Sequence, residues 1–150
     1  MTIVSVDTNV LIYAVDEKAG AKQDIALTIV NALRTERAPL SLQVVSEFLH
    51  VASRKYRTPP KEVAVHAREL LLLHRSFGAT QQSTDRAIDL AASGTFSFCD
   101  ANLVSAAEAA GCTHLISEDM GDGVRIGRLE IVNPFSGDAL SERARALLSL

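Results

Sequence analysis

Four acidic residues of this 150-residue chain stand beside predicted apolar elements, where an isolated carboxylate would be unfavourable. They are Asp7, Glu47, Asp100 and Asp119. Carboxylates that are brought together repel one another and raise one another's pKa values, and a hard divalent cation relieves this repulsion. Ligands made only of oxygen suit Mg²⁺ or Mn²⁺ rather than Zn²⁺. If the four acids converge, the site can support hydrolysis of phosphodiester bonds.

Asp7 ends the opening strand of the sequence. The β-branched apolar residues within positions 3–6 predict a short buried strand, and Thr8 or Asn9 can cap a helix over residues 10–15. We therefore expect Asp7 at the carboxyl end of a central strand, which is the edge where ligands bind in open α/β sheets. The alternative is that Asp7 only caps the helix.

Glu47 lies at the edge of the apolar stripe of a helix predicted over residues 43–56. A half-buried glutamate needs a partner, because burial of an unpaired charge is unfavourable. That partner can be a bound cation, if the helix packs over the edge where Asp7 lies. The alternative is an ion pair with Arg54 or Lys55, or a solvated position, and the pattern leaves these interpretations open.

Asp100 extends the core stripe of a helix predicted over residues 100–110, since Leu103 and Val104 lie three and four positions further on. A charge on that stripe is unfavourable unless it binds something. The alternative is a capping box in which Ser97 is the N-cap and Asp100 is residue N3. The two interpretations are compatible, because a helix N-terminus also favours a carboxylate.

Asp119 follows a strand predicted over residues 113–117, as Asp7 follows the first strand. Parallel strands place their carboxyl ends at one edge, so we expect the two aspartates to lie close together. Glu118 and Asp122 are neighbours that could share the role of Asp119. The alternative is an acidic surface turn within the glycine-rich segment 119–123.

Predicted strands and helices alternate along the chain, which favours a mainly parallel sheet covered by helices on both faces. We therefore expect one domain over residues 1–150, with an α/β fold: a three-layer α/β/α sandwich around a short, four- to five-stranded sheet. The strands are predicted at 3–6, 40–42, 113–117 and 129–132, and the helices at 10–15, 22–37, 43–56, 61–75, 84–92, 100–110 and 139–148.

Composition limits the classes of function. Hydrophobic residues make up 47% of the chain, which is too many for a disordered protein, and the net charge of −3 excludes a globally basic nucleic-acid binder. The N-terminus has no basic region typical of a signal peptide, and the longest apolar run, residues 10–15, is too short to span a membrane. Cys99 and Cys112 are expected to be buried free thiols, which fits a reducing cytoplasm.

One segment in the middle of the chain is locally basic and can bind phosphates without reading a base sequence. Between residues 50 and 75 it carries six basic residues against two acidic ones, and the candidate nucleic-acid contacts are Arg54, Lys55, Arg57 and Lys61. The alternative for each of them is an ordinary solvated position on a helix surface.

Four segments of the sequence resemble the motifs of PIN-domain ribonucleases, in the same order and with similar spacing. Residues 4–13 (VSVDTNVLIY) resemble the opening of that family, 46–48 (SEF) its second acidic motif, 96–101 (FSFCDA) the third and 115–120 (LISEDM) the fourth. The match extends from residue 2 to about residue 134, and the compact members most similar to this chain are VapC-type toxins of toxin–antitoxin modules.

The resemblance implies a PIN-like fold and an endoribonuclease that depends on Mg²⁺ or Mn²⁺. It also implies RNA as substrate, a homodimer, a cognate antitoxin as inhibitor, and a cytoplasmic location without a membrane anchor. The resemblance places the catalytic, metal-binding acids at Asp7, Glu47, Asp100 and Asp119, with Thr8 and Asn9 as supporting polar residues. The fourth position varies most in the family, so Glu118 or Asp122 could share it.

Other chemistries fit the sequence less well. A Glu47-x-x-His50 pair occurs once, whereas di-iron helix bundles need two such motifs. No histidine pair has zinc-binding i,i+4 spacing, and no nucleophile elbow is present. Two alternatives remain: a catalytically silent PIN-like binding or regulatory module, and a nuclease acting on structured DNA.

Overall fold

The computed structural model describes all 150 residues, which form seven helices and eight strands. The helices are α1 (Thr8–Val15), α2 (Ala21–Thr35), α3 (Leu42–Arg54), α4 (Pro60–Leu73), α5 (Gln81–Ala92), α6 (Phe98–Ala109) and α7 (Glu142–Leu147). The strands are β1 (Val4–Val6), β2 (Pro39–Ser41), β3 (Arg75–Phe77), β4 (His114–Ile116), β5 (Arg125–Ile126), β6 (Leu129–Val132), β7 (Phe135–Ser136) and β8 (Ala139–Leu140).

The central sheet has the strand order β1-β4-β6-β5. Strands β1, β4 and β6 are parallel, and in their register Val6 pairs with Ile116, which in turn pairs with Val132. The short β5 runs antiparallel at the edge, and β2 and β3 form a separate parallel pair beside β1. The predicted mainly parallel α/β/α sandwich is confirmed, and its three parallel strands end at one edge.

The three parallel strands are largely buried because they are short and mostly apolar, and helices cover them; only His114 and Glu130 are half-buried. Val6, Leu115 and Ile131 are each at most 1% exposed and belong to one continuous core that also takes in Val10 and Ile29 from the helices. Strands buried in a parallel sheet are rich in Val, Ile and Leu, as β1, β4 and β6 are.

Several element boundaries differ from the prediction because side chains cap the helices earlier. Asp7 caps α1, so that helix begins at residue 8 instead of residue 10. Thr80 forms a capping box with Ser83 and moves the start of α5 from residue 84 to residue 81. Ser97 caps α6, which begins two residues before Asp100.

The end of the chain was predicted as one helix from residue 139, and this was wrong. Gly137, with φ of 58°, turns the chain between β7 and β8, and helix α7 begins only at Glu142. Glycine takes that left-handed conformation without a Cβ penalty, and a two-residue glycine turn favours a hairpin. The short strands β3 and β5 were also missing from the prediction.

Two further expectations concern burial and membranes. Cys112 is buried as expected, and burial raises the pKa of its thiol to about 11, but Cys99 is exposed in the first turn of α6. The expectation of burial was therefore wrong for Cys99, because its side chain lies on the outer side of that helix. None of the helices combines the length and the apolar character that a membrane crossing needs.

Candidate active site

The four predicted acids line a single cleft of about 330 Å³ at the carboxyl edge of the sheet. Asp7 follows β1, Glu47 lies on α3, Asp100 on the first turn of α6, and Asp119 shortly after β4. The structure therefore brings together the side chains that the sequence pattern singled out. The same cleft is lined by the two predicted supporting residues, Thr8 and Asn9.

Asp7 is the most buried of the four acids, with 7% of its surface exposed. The backbone N–H of Thr8 donates to its Oδ1 at 2.7 Å, and the Ser117 hydroxyl donates to its Oδ2 at 2.8 Å. Burial raises the pKa of Asp7 to about 6; the hydrogen bonds from Ser117 and Thr8 oppose the shift, and the charges of Asp100 and Glu47 add to it. Asp7 thus caps α1 and also lines the cleft, so both interpretations of the sequence apply.

Glu47 is held by hydrogen bonds and not by an ion pair. The Thr8 hydroxyl donates to its Oε2 at 2.8 Å, and the Gln43 amide donates to its Oε1 at 3.0 Å. Neither Arg54 nor Lys55 forms a salt bridge with it. The carboxylate of Glu47 is therefore fixed in the cleft without a neutralising positive charge from the protein.

Asp100 occupies the first turn of α6, where its backbone N–H donates to the Ser97 hydroxyl at 3.2 Å. Only this half of the predicted capping box forms, and the carboxylate of Asp100 has no ion-pair partner in the protein. Partial burial raises the pKa of Asp100, as do the charges of Glu47 and Asp119, while Ser97 opposes the shift. Asp100 thus presents an unpaired carboxylate to a cleft that already holds three others.

Asn9 links the first and fourth acids of the cleft. Its Nδ2 donates to Asp119 Oδ2 at 3.1 Å and to Asp7 Oδ2 at 3.3 Å. Its own oxygen, Oδ1, is buried and has no hydrogen-bond partner. Asp119 is exposed, and its backbone N–H donates to the Ser117 hydroxyl at 3.3 Å. A single amide therefore positions two carboxylates that are far apart in the chain.

The two acids that could have shared the role of Asp119 have other partners. Glu118 forms an ion pair with Lys22 and accepts a hydrogen bond from the Tyr13 hydroxyl at 2.6 Å. Burial alone would raise the pKa of Glu118, but the hydrogen bonds from Lys22 and Tyr13 hold it below its ordinary value. Asp122 accepts from Arg143 at 3.0 Å, away from the cleft. Asp119 is thus the acid of this turn that lines the cleft.

The donor atoms of the cleft fit a hard divalent cation. They are carboxylate, hydroxyl and amide oxygens, without histidine or cysteine, and no basic side chain forms a salt bridge with any of the four acids. No group of three or more histidine, cysteine, aspartate or glutamate side chains is placed to hold an ion by direct contacts alone. Mg²⁺ is commonly bound through one or two carboxylates and keeps several waters, so a spread set of acids suits it.

Sequence reasoning missed two residues that position the acids. Ser117 lies beside Asp7 because β1 and β4 pair in parallel register. The signal for it in the sequence was its place at the end of the strand predicted over residues 113–117. Gln43, four residues before Glu47, also donates to the carbonyl of Cys99 at 2.9 Å and so connects α3 to α6. Its i,i+4 spacing from Glu47 was the available signal.

The predicted phosphate contacts lie at the end of α3 and the start of α4. Arg54, Lys55, Arg57 and Lys61 are all exposed, and none of them forms a salt bridge. Lys55 is the basic residue that lines the cleft together with the acids. The positive segment predicted from the sequence therefore reaches the acidic site through Lys55.

Comparison with known proteins agrees with this architecture. A toxin–antitoxin complex from Klebsiella pneumoniae is similar at 21% identity over 88% of this chain and 98% of that chain, with a TM-score of 0.62. VapC20 from Mycobacterium tuberculosis, described as a sarcin–ricin loop cleaving toxin, is similar at 17% identity over 78% of this chain and 92% of that chain, with a TM-score of 0.56. FitAcB from Neisseria gonorrhoeae is similar at 16% identity over 88% of this chain and 98% of that chain, with a TM-score of 0.64.

No protein with curated annotation matches the sequence. The family model of the PIN domain, by contrast, matches residues 4–121. That range is most of the chain, and it contains all four acids of the cleft. The chain therefore belongs to the PIN domain family.

Proposed function

We propose that this protein is a divalent-metal-dependent endoribonuclease and the toxin component of a toxin–antitoxin pair. The observation that carries the proposal is the cleft itself: four carboxylates share it, and no basic side chain of the protein neutralises them. Such an arrangement opposes folding unless a cation binds there, which is typical of a site kept for function. Membership of the PIN domain family supports nuclease chemistry at this cleft.

The four acids have distinct tasks in the proposed reaction. A cation bound among them supplies charge stabilisation for the phosphodiester and activation of water. Asp7 and Glu47 are held rigidly by their hydrogen bonds and define where a cation can lie. Asp100 forms no ion pair, so its carboxylate is available to act as a direct ligand. Asp119 completes the set of acids and is positioned by the hydrogen bond that it accepts from Asn9.

RNA reaches this cleft from the side of the basic segment. Lys55 lines the cleft and can bind a phosphate next to the scissile one, while Arg54, Arg57 and Lys61 extend positive charge along the exposed surface. These contacts position the strand but carry no base sequence. The excess of six basic over two acidic residues in this one segment, in a protein of net charge −3, supports a defined path for the RNA.

Partners are proposed from the similar structures. One of them is described as a toxin–antitoxin complex. Another is described as VapBC2 from Rickettsia felis bound to a DNA fragment from its promoter. We expect a small antitoxin whose C-terminal tail covers the acidic cleft, a homodimeric toxin, and action in the cytoplasm, where RNA and the antitoxin are both present. A positively charged antitoxin side chain in the cleft would neutralise the acids as a cation does.

The test is an RNA cleavage assay with mapping of the cut ends. Purified protein is incubated with total RNA in EDTA, in Mg²⁺ and in Mn²⁺. We expect discrete cuts only with a metal ion, and none with Asp100→Asn. The matched control is Asp89→Asn, which removes one charge from an exposed position on α5 and should cut like wild type. Intact RNA with both metals, or equal cutting by Asp100→Asn, would contradict the proposal.

A further inference from the structure

The acids line only part of the cleft. Thr8 and Asn9 lie among the acids, and the rest of the lining offers apolar and aromatic surface with one positive charge: Ile12, Tyr13, Val51, Lys55 and Tyr56. Such surface does not bind a metal ion, and it is poorly suited to a phosphate apart from Lys55. It resembles instead the mixed aromatic and basic lining of grooves that bind single-stranded nucleic acid.

The two tyrosines of this lining differ in what their side chains contact. The Tyr13 hydroxyl bonds to Glu118 at 2.6 Å, and its ring packs edge-on against Phe135 with 5.4 Å between ring centroids. The Tyr56 hydroxyl makes no hydrogen bond, and the ring is half-buried, with the ammonium of Lys55 5.7 Å from its centroid. Unlike Tyr13, Tyr56 therefore has a ring whose hydroxyl is not needed for a hydrogen bond within the fold.

Tyr56 is held on a closed turn and not on a free loop. Helix α3 ends at Arg54, and the chain reverses at Arg57, whose φ of 51° lies in the left-handed region. The backbone N–H of Thr58 then donates to the carbonyl of Ala52 at 3.1 Å and closes the turn. A left-handed conformation at a non-glycine residue is unfavourable and persists only where surrounding contacts hold it, as at many binding sites.

We propose that Tyr56 is the platform on which an unpaired base of the RNA substrate stacks, beside the phosphate bound by Lys55. This inference rests on the proposed function and makes it more specific, because it gives the cleft a means of selecting unpaired nucleotides. Every base has a face that can stack on an aromatic ring, so this contact needs no particular sequence. A base in a duplex is already stacked on both faces, and only an unpaired or splayed base is free to stack on Tyr56.

The proposal separates stacking from a purely structural role of Tyr56. Tyr56 is partly buried against the core, and leucine would preserve much of that apolar contact. Leucine has no π-face, so Tyr56→Leu should remove stacking while the fold remains. Tyr56→Phe keeps the ring and loses only a hydroxyl that has no partner. The pair Tyr56→Leu and Tyr56→Phe therefore distinguishes the two roles.

Binding is measured without cleavage, by fluorescence anisotropy of a labelled RNA strand in EDTA. Wild type should bind the single strand more tightly than the same strand annealed to its complement. Loss of one stacked base corresponds to about a 5- to 150-fold loss of affinity, so Tyr56→Leu should fall in that range for the single strand and change little for the duplex. Tyr56→Phe should bind the single strand nearly as tightly as wild type. Thermal melts verify that each variant is folded.

The chain also provides a spectroscopic readout, because it has two tyrosines and no tryptophan. Tyrosine emission of wild type should be quenched by the single strand as a base covers Tyr56. In Tyr56→Phe the remaining emission comes from Tyr13, which also lines the cleft, so the quenching should become much smaller although the RNA still binds. For the phosphate contact, Lys55→Ala should weaken single strand and duplex alike, whereas the charge-matched control Lys18→Ala, at an exposed turn outside the cleft, should not.

Two results would overturn the inference. One is equal affinity of wild type and Tyr56→Leu for the single strand, and the other is quenching in Tyr56→Phe as strong as in wild type. The separate cleavage assay with Mg²⁺ or Mn²⁺ shows which proposal has failed. If wild type cuts RNA while Tyr56→Leu binds and cuts equally well, the stacking role is wrong and the nuclease function stands. If wild type neither binds nor cuts RNA, both are wrong.

Discussion

Replacement of Asp7 with asparagine should stabilise the metal-free protein, and the gain should depend on pH. Asp7 is 7% exposed, and burial raises its pKa from 3.8 to about 6. Above pH 6 the folded protein must hold this carboxylate charged in a place that disfavours the charge. The pKa difference corresponds to about 3 kcal/mol of folding free energy, at about 1.4 kcal/mol for each pH unit.

Asparagine does not recover the whole of this energy. Its side-chain oxygen can still accept from the Thr8 N–H, and the Ser117 hydroxyl can turn to accept from the new amide group. The bond from the Asn9 amide is lost, because two amide N–H groups would then face each other. One lost hydrogen bond costs about 1 kcal/mol, which leaves a net gain of about 1–2 kcal/mol. For a domain of this size that is a rise in melting temperature of about 2–8 °C.

The pH window follows from the direction of the shift. Between pH 3.8 and about 6 the folded wild type keeps a proton on Asp7 that the unfolded chain has lost. The folded state therefore binds more protons, and wild-type stability falls as the pH rises through this window. Below it, Asp7 is protonated in both states and the penalty is absent. The advantage of Asp7→Asn should thus be small near pH 4 and complete above about pH 6.

The assay is a set of thermal melts in EDTA across this range, with wild type, Asp7→Asn and the exposed control Asp89→Asn. The informative quantity is the difference in melting temperature between Asp7→Asn and wild type at each pH. The raised pKa of Asp100 adds a pH dependence of its own, which this difference removes because both proteins contain Asp100. A difference that does not change with pH, or a lower melting temperature of Asp7→Asn at neutral pH, would refute the argument. The control should follow wild type throughout.

The same melts in excess Mn²⁺ test whether Asp7 is a ligand. An ion at about 100 times its dissociation constant stabilises the folded wild type by about 2.7 kcal/mol. Asp7→Asn has lost a ligand, so its gain from the metal should be smaller, and the two stabilisations should not add. Equal metal shifts in both proteins would mean that Asp7 does not bind the ion.

Three further outcomes are expected. Asp100→Asn should remain folded but cut RNA at least about 100-fold more slowly, the effect of losing one electrostatic group at a reacting centre; a rate equal to that of Asp89→Asn would exclude Asp100 from the site. Lys22→Met should destabilise the fold by at most about 1 kcal/mol, because the Lys22–Glu118 pair is partly exposed. It should strengthen Mn²⁺ binding measured by calorimetry, because it removes a positive charge near the acids and leaves Glu118 unpaired beside Asp119; weaker binding would contradict this. Expression of the wild type alone should stop growth and the Asp7→Ala form should not; normal growth with abundant wild-type protein in the soluble fraction would argue against a toxin.

Local sequence patterns determined where the acids stand within their own elements. The β-branched residues before Asp7 form a strand, and the apolar spacing that follows Asp100 forms the buried side of α6. Capping and periodicity act over about one helical turn, so a short stretch of sequence contains their whole cause. Strands alternating with helices also implied a parallel sheet, whose strands end at one edge. The convergence of the acids could therefore be predicted before any distance was known.

Only the tertiary structure decided which partner each acid has. Ser117 bonds to Asp7 across 110 positions of sequence, because β1 and β4 pair in one particular register. Glu118 and Asp119 are adjacent in the chain, yet Glu118 forms an ion pair with Lys22, whereas Asp119 lines the cleft. Sequence spacing does not distinguish these two acids, since the choice depends on side chains from distant elements that meet only after folding. For the same reason the position of Tyr56 in the lining of the cleft had no signal in the sequence.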